Sequence, residues 1–195
     1  MRWYAFIFII GAICVGIKSW PSDYKHPPGI LVRAEPQQNE APAKKWSKNG
    51  YLLTPLASYD IRARVILTDN YGWGSAADLS PKDLTVAWGP LSDTAYLKRL
   101  TLSHSNRYAT WRSEGEDIDP TEINNHIANM HIIPADILVE RKLKKVKVDD
   151  IIRMVGYLVQ VDRPDGFTWV SSTTREDNGM GACEIMWVDS LDVAG

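Results

Sequence analysis

The sequence predicts an α+β fold that is mainly β: a small β-meander or partly open barrel with short helices, preceded by one N-terminal transmembrane helix. Three observations carry this. The first twenty residues contain an uncharged apolar run, the middle of the chain alternates apolar with polar residues, and the last third repeats apolar runs broken by turn chemistry. The chain has 195 residues, 45% hydrophobic and 24% charged, with a formal net charge of −2. That length suits one domain with an appendage, and the composition excludes wholesale disorder and collagen-like structure. Near-neutral charge argues against a dedicated nucleic-acid binder, so no nucleic-acid partner is expected. Two cysteines cannot form a disulfide framework.

The N-terminal run extends from Trp3 to Ile17 without a charge. As a helix it spans roughly 22 Å, against about 30 Å of hydrocarbon, which places it between a signal-peptide core and a short span. Gly16-Ile17-Lys18-Ser19-Trp20 offers no good cleavage site. Lys18 can snorkel while Trp20 sits at the interface, which lengthens the effective span. The expectation is an uncleaved signal-anchor over residues 1–20, with a secreted protein after cleavage as the alternative. A short N-terminal tail then puts the remainder outside: a bacterial inner-membrane protein, single-pass, with a periplasmic C-terminal domain.

Residues 21–50 read as a proline-rich linker, with Pro21, Pro27, Pro28, Pro36 and Pro42 among polar residues. Residues 1–50 hold seven Lys/Arg against three Asp/Glu, net +4, which leaves −6 for the β-rich domain expected over 51–195.

Within that domain Ile61–Leu67 alternates apolar with basic residues, the period of a half-buried strand. Ser80-Pro81-Lys82-Asp83 carries helix-start chemistry, with Ser at the N-cap, Pro following and an acidic residue at N3; Gly89-Pro90 would stop that helix. A second short helix fits Asp93–Leu100. Residues 101–104 and 107–111 read as a hairpin around Ser105-Asn106. Residues 150–161, 167–171 and 183–188 read as three consecutive strands, the first pair joined by a Pro-Asp-Gly turn. Gly156 inside the first marks a bend or bulge of a small barrel.

Candidate chemistry is sparse, and no catalytic residue and no cofactor are expected. His104, His126 and His131 are the alternative metal ligands, since zinc sites use three such groups. A spacing of five residues puts His126 and His131 on opposite faces of a strand, so polar side chains serving loop backbone explain them better. Cys183 heads an apolar strand with no histidine after it, and reads as a buried, inert thiol. Arg141–Lys147 has five positive charges in seven positions, explained as a solvated edge whose lysines discourage strand pairing. The polar loop after Ser171 is the candidate recognition surface, with Ser172, Arg175, Glu176 and Asp177 as binding residues.

Asp78–Leu84 with Trp88-Gly89-Pro90, Asn129–Ala135, and Ser171–Asp177 with Cys183-Glu184 together span most of residues 60–193. On these stretches the chain resembles a family of uncharacterised exported or membrane-anchored bacterial proteins. The resemblance implies export and no assigned activity. The expectation is therefore a membrane-anchored extracytoplasmic binding or interaction module, non-enzymatic, with an envelope protein as a further partner. The alternative is a cell-envelope hydrolase using His126 or His131, with or without a metal.

Overall fold

A computed structural model describes residues 24–74, 76–113, 118–174 and 182–194, together with the backbone of Lys18–Ser19. The expected transmembrane helix lies outside the described residues except for those two, which form a short strand, β1. Among the described residues no helix is long and apolar enough to cross a membrane.

The chain is mainly β, with 50% of residues in strands and 14% in helices. After β2 (Gln37–Glu40) and β3 (Trp46–Lys48) comes β4, a 20-residue strand from Tyr51 to Asn70. β5 (Lys82–Ala87) pairs antiparallel with β4, and β8 (Ile127–Pro134) with β5. β11 (Glu184–Ala194) runs parallel to β8 and antiparallel to β9 (Ile151–Asp162). β9 then pairs back to β4. The sheet therefore closes on itself in the order β4-β5-β8-β11-β9. One helix, α3 (Ile137–Lys145), links β8 to β9, with Val139 and Leu143 buried in the core. This is the connectivity of a five-stranded Greek-key barrel of the OB type. Of the two expected arrangements, a small meander or a partly open barrel, the pairings give a barrel, because β11 pairs with β8 as well as β9 and β9 pairs with β4.

β4 serves both sides of the closure because two bulges turn it. They fall between Pro55 and Ala57 and between Val65 and Leu67. An extra residue in a strand reverses which side chains face inward. Tyr51 and Leu53 accordingly pack outside the barrel with Leu79, Ile133 and Ile185, whereas Ile61, Ala63 and Val65 fill the interior with Leu84, Met130 and Leu158. The bend or bulge expected at Gly156 lies instead in the facing strand, where the extra residue falls between Val188 and Ser190 of β11; at Gly156 an added Cβ would lie 1.9 Å from the Trp187 carbonyl oxygen.

Between β5 and β8 the chain inserts a 3-10 turn (Gly89–Ser92), α1 (Thr94–Leu97), the hairpin β6 (Leu100–Ser105) and β7 (Tyr108–Ser113), and α2 (Pro120–Asn125). Asp93 caps α1 through the Ala95 amide, near the expected helix start. The hairpin turns at Asn106 and Arg107, both with positive φ (50° and 68°), as a two-residue hairpin turn of the primed type requires.

Two local readings are corrected. Ser80–Asp83 starts no helix; Lys82 and Asp83 open β5, and all six residues of that strand are buried. A capping signature contributes about 1 kcal/mol, less than the burial of Leu84 and Val86 between β4 and β8. Arg141–Lys147 is not a strand edge. Most of it is the C-terminal half of α3, which Asp136 caps through the Leu138 and Val139 amides. Its lysines lie in the last turn, where the helix dipole favours cations.

The linker reading of 21–50 also changes. Gly29 N–H bonds Asp93, the Leu31 and Val32 amides bond Ser92 Oγ, and Gly89 N–H bonds the Val32 carbonyl. β2 and β3 both pair with β4. Proline blocks helix here but leaves extended backbone free to dock. Beneath this segment Arg64, fully buried, donates from Nε to Asp149 at 2.8 Å and from Nη1 to the Ser92 carbonyl at 2.8 Å, under the Tyr24 ring. Asp149 also accepts from the Lys25 amide at 2.6 Å.

Candidate functional site

Three loops of the barrel meet over the outer face of β5 and β8. They are the β4–β5 connection, the β6–β7 turn and the hairpin from β9 to β10 (Thr168–Val170). Between them lies a cleft of about 180 Å³ lined by Ala76, Asn106, Arg107, Tyr108, His131, Phe167 and Trp169.

Its floor follows from strand alternation. Leu84 and Val86 of β5, and Met130 and Ile132 of β8, face the barrel interior. The residues between them face outward, and Asp83 and His131 stand opposite one another in the register. Asp83 is fully buried and His131 is 2% exposed. Asp83 divides its two oxygens. Oδ1 accepts from Arg107 Nη1 at 2.9 Å, and Oδ2 lies 3.0 Å from His131 Nδ1. The latter contact falls outside hydrogen-bond geometry; it is an attraction with Nδ1 protonated, since two lone pairs at that distance would repel. His131 Nε2 bonds no protein group among the described residues.

Arg107 is held on every side. Nη2 donates to the Ser80 carbonyl at 3.1 Å, and the guanidinium lies 3.8 Å from the Tyr71 ring centroid and 5.6 Å from that of Trp169. Trp169 in turn lies 4.6 Å from the His131 ring. Burial, with Asp83 and Asp69 nearby, raises the Tyr71 phenol well above its ordinary range, so it stays protonated.

A polar network supports this floor. Asn129, two residues before His131, donates to the Arg107 carbonyl at 2.7 Å and to Cys183 Sγ at 3.3 Å. Its Oδ1 lies 3.2 Å from His104 Nε2, and His104 Nδ1 lies 3.4 Å from Asp69. Asn129 thereby ties the β6–β7 turn to the barrel wall.

The sequence-derived candidates fall as follows. Arg175, Glu176 and Asp177 lie outside the described residues. Ser172 is buried, and its hydroxyl accepts from the Thr174 amide and donates to the Thr174 carbonyl, so it shapes its own loop. The three histidines go to separate partners. His104 belongs to the Asn129 network and His131 to Asp83. His126 ends α2, with Nδ1 2.8 Å from the Glu122 carbonyl oxygen and Nε2 3.5 Å from Glu35. They do not assemble the alternative metal set, and no group of three metal-binding side chains occurs among the described residues. Cys183 sits one residue before β11 and is half-buried rather than buried within a strand.

Sequence reasoning missed Asp83, Arg107 and Trp169. Asp83 resembled a helix cap, and Trp169 one more strand residue. The one local signal at Arg107 was the two-residue turn itself.

Comparison with family models, with curated proteins and with solved structures finds no match in any of the three. The class of the chain, a Greek-key barrel with a polar-floored cleft, therefore rests on its strand order and on these distances.

Proposed function

We propose that this chain is a binding module, held at a membrane by its N-terminal apolar run, that takes a ligand in the cleft between its three loops. The observation that carries this reading is the cleft floor. An Asp–Arg–His trio beneath aromatic walls is costly to bury, and a hydrophobic patch would serve the fold as well. Clefts with apolar walls and a few convergent polar groups are the usual form of a ligand site. OB-type barrels use this same face and these loops for ligands, which supports the reading by analogy of fold. The proposed setting is the bacterial envelope with the barrel outside the inner membrane, on the strength of residues 1–20.

The test is equilibrium binding by the full-length protein in detergent, followed by tryptophan fluorescence against panels of saccharides, nucleotides and peptides. A ligand whose binding weakens at least tenfold in Trp169→Ala supports the reading. Ligands that bind Trp169→Ala and the parent equally would place the site elsewhere.

One observation favours the second reading, an envelope hydrolase: Asp83 orients His131 with Nε2 unengaged, as a general base requires. His126, spent on α2 and Glu35, does not share that role. Product release from a bound ligand, abolished in His131→Phe, would establish it.

A further inference from the structure

We infer that the ligand of this cleft is an uncharged saccharide, one sugar ring of which lies against the aromatic wall with a hydroxyl donating to His131 Nε2; this rests on the binding-module reading above.

The argument begins with charge. Arg107 and Asp83, 2.9 Å apart, neutralise each other, so the floor has little net field with which to reward a charged ligand. The guanidinium is also engaged, since it lies near the Tyr71 and Trp169 rings and two of its nitrogens are spent on Asp83 and the Ser80 carbonyl, leaving the side chain 18% exposed. It is built into the floor rather than offered to an anion.

What the cleft offers instead is one edge of an imidazole. His131 turns Nδ1 toward the Asp83 carboxylate at 3.0 Å, which leaves Nε2 as the ring nitrogen for a ligand. Nε2 has no protein partner among the described residues and, unlike Nδ1, is not one of the fully buried unpartnered atoms, so a ligand O–H in the cleft can reach it. The side walls are rings. Tyr108, Phe167 and Trp169 give flat apolar faces, and the Asn106 amide at the rim both donates and accepts. At about 180 Å³ the space suits a single ring-sized group.

A sugar ring meets all of these conditions together. It has an apolar C–H face for an aromatic wall, hydroxyls that donate to a lone pair and bond an amide, and no charge. A nucleotide brings phosphate into a cleft with no free cation among the described residues that line it, on a domain whose residues 51–195 carry net −6. A phenylalanine side chain has no donor for Nε2.

The experiment applies full-length protein in detergent to an array of neutral and acidic oligosaccharides, with nucleotides and aromatic peptides in parallel, and titrates each hit. We expect binding of uncharged oligosaccharides, weakened at least tenfold in both Trp169→Ala and His131→Phe. Trp46→Ala, whose ring meets Tyr157 and Trp187 and does not line the cleft, should leave it unchanged. If His131→Phe does not fold, Tyr108→Ala at the exposed rim replaces it. Binding confined to nucleotides, acidic sugars or peptides, and lost in Trp169→Ala, would overturn the saccharide assignment while keeping the cleft as the binding site. Saccharide binding that survives every cleft variant would overturn both. So would the absence of binding by any class.

Discussion

Asp83 on β5 and His131 on β8 face each other across an antiparallel pair, 3.0 Å apart, with Arg107 on the other oxygen of the same carboxylate. One buried carboxylate thus serves two groups that reach it from different parts of the chain. Asp83→Ala strands a guanidinium in a nearly closed site and should lower stability by about 3–5 kcal/mol. Denaturant unfolding checks this. A loss under about 1 kcal/mol would mean that Arg107 finds water instead.

Acid should weaken the protein through Asp149. Burial pushes this carboxyl up, but the Lys25 amide and the Arg64 guanidinium outweigh it and hold it below its ordinary value of 3.8. Its folded form therefore binds a proton less readily than its unfolded form. The stabilisation is complete above pH 3.8 and is lost as pH falls below that value toward the lower folded-state pKa. Asp149→Asn should flatten this acid limb in melts recorded from pH 6 downward. Asp60, held down by Arg153, contributes less because that pair lies in solvent.

Gly156→Ala should cost about 3 kcal/mol or prevent folding, since the new methyl would meet the Trp187 carbonyl and β9 and β11 must move apart. Ala at the neighbouring, partly exposed Val155 should be far milder. Equal effects would show that the two strands separate easily.

A fragment beginning at Tyr51 should be much less stable than one beginning at Tyr24. It lacks β2, β3 and the docked segment that covers Arg64 and Trp88. Losing a few kcal/mol lowers the midpoint by about 10 °C in a domain of this size. Equal melting of the two fragments would restore the linker reading.

Full-length protein should fractionate with membranes and resist a high-salt wash, as an apolar anchor does and a peripheral contact does not. A mature form beginning near Trp20 would indicate a cleaved signal instead.

The strand content was legible where alternation met turn chemistry. Ile61–Leu67, the hairpin at Asn106, and the pair joined through Asp165-Gly166 all lie in observed strands or their turn. What stayed hidden depends on partners distant in sequence. Lys82 and Asp83 look like a helix start until β4 and β8 flank them. Residues 24–35 look like a linker until Ser92 and Asp149 bind their amides. The cleft is the extreme case. Its floor joins position 83 to 107 and 131, and no local period records that.

The docked segment also sets a length. Had residues 21–50 been a free stalk, their contour of about 100 Å would have let the barrel roam far from its attachment. With Tyr24 fastened beside Arg64 and Lys18–Ser19 already paired to β6 as β1, no spacer is left between Ile17 and the folded body. For an anchored chain the barrel is then on a short leash, with its search volume confined to the layer next to the bilayer. Molecules that never enter that layer are beyond its reach, however well they fit the cleft.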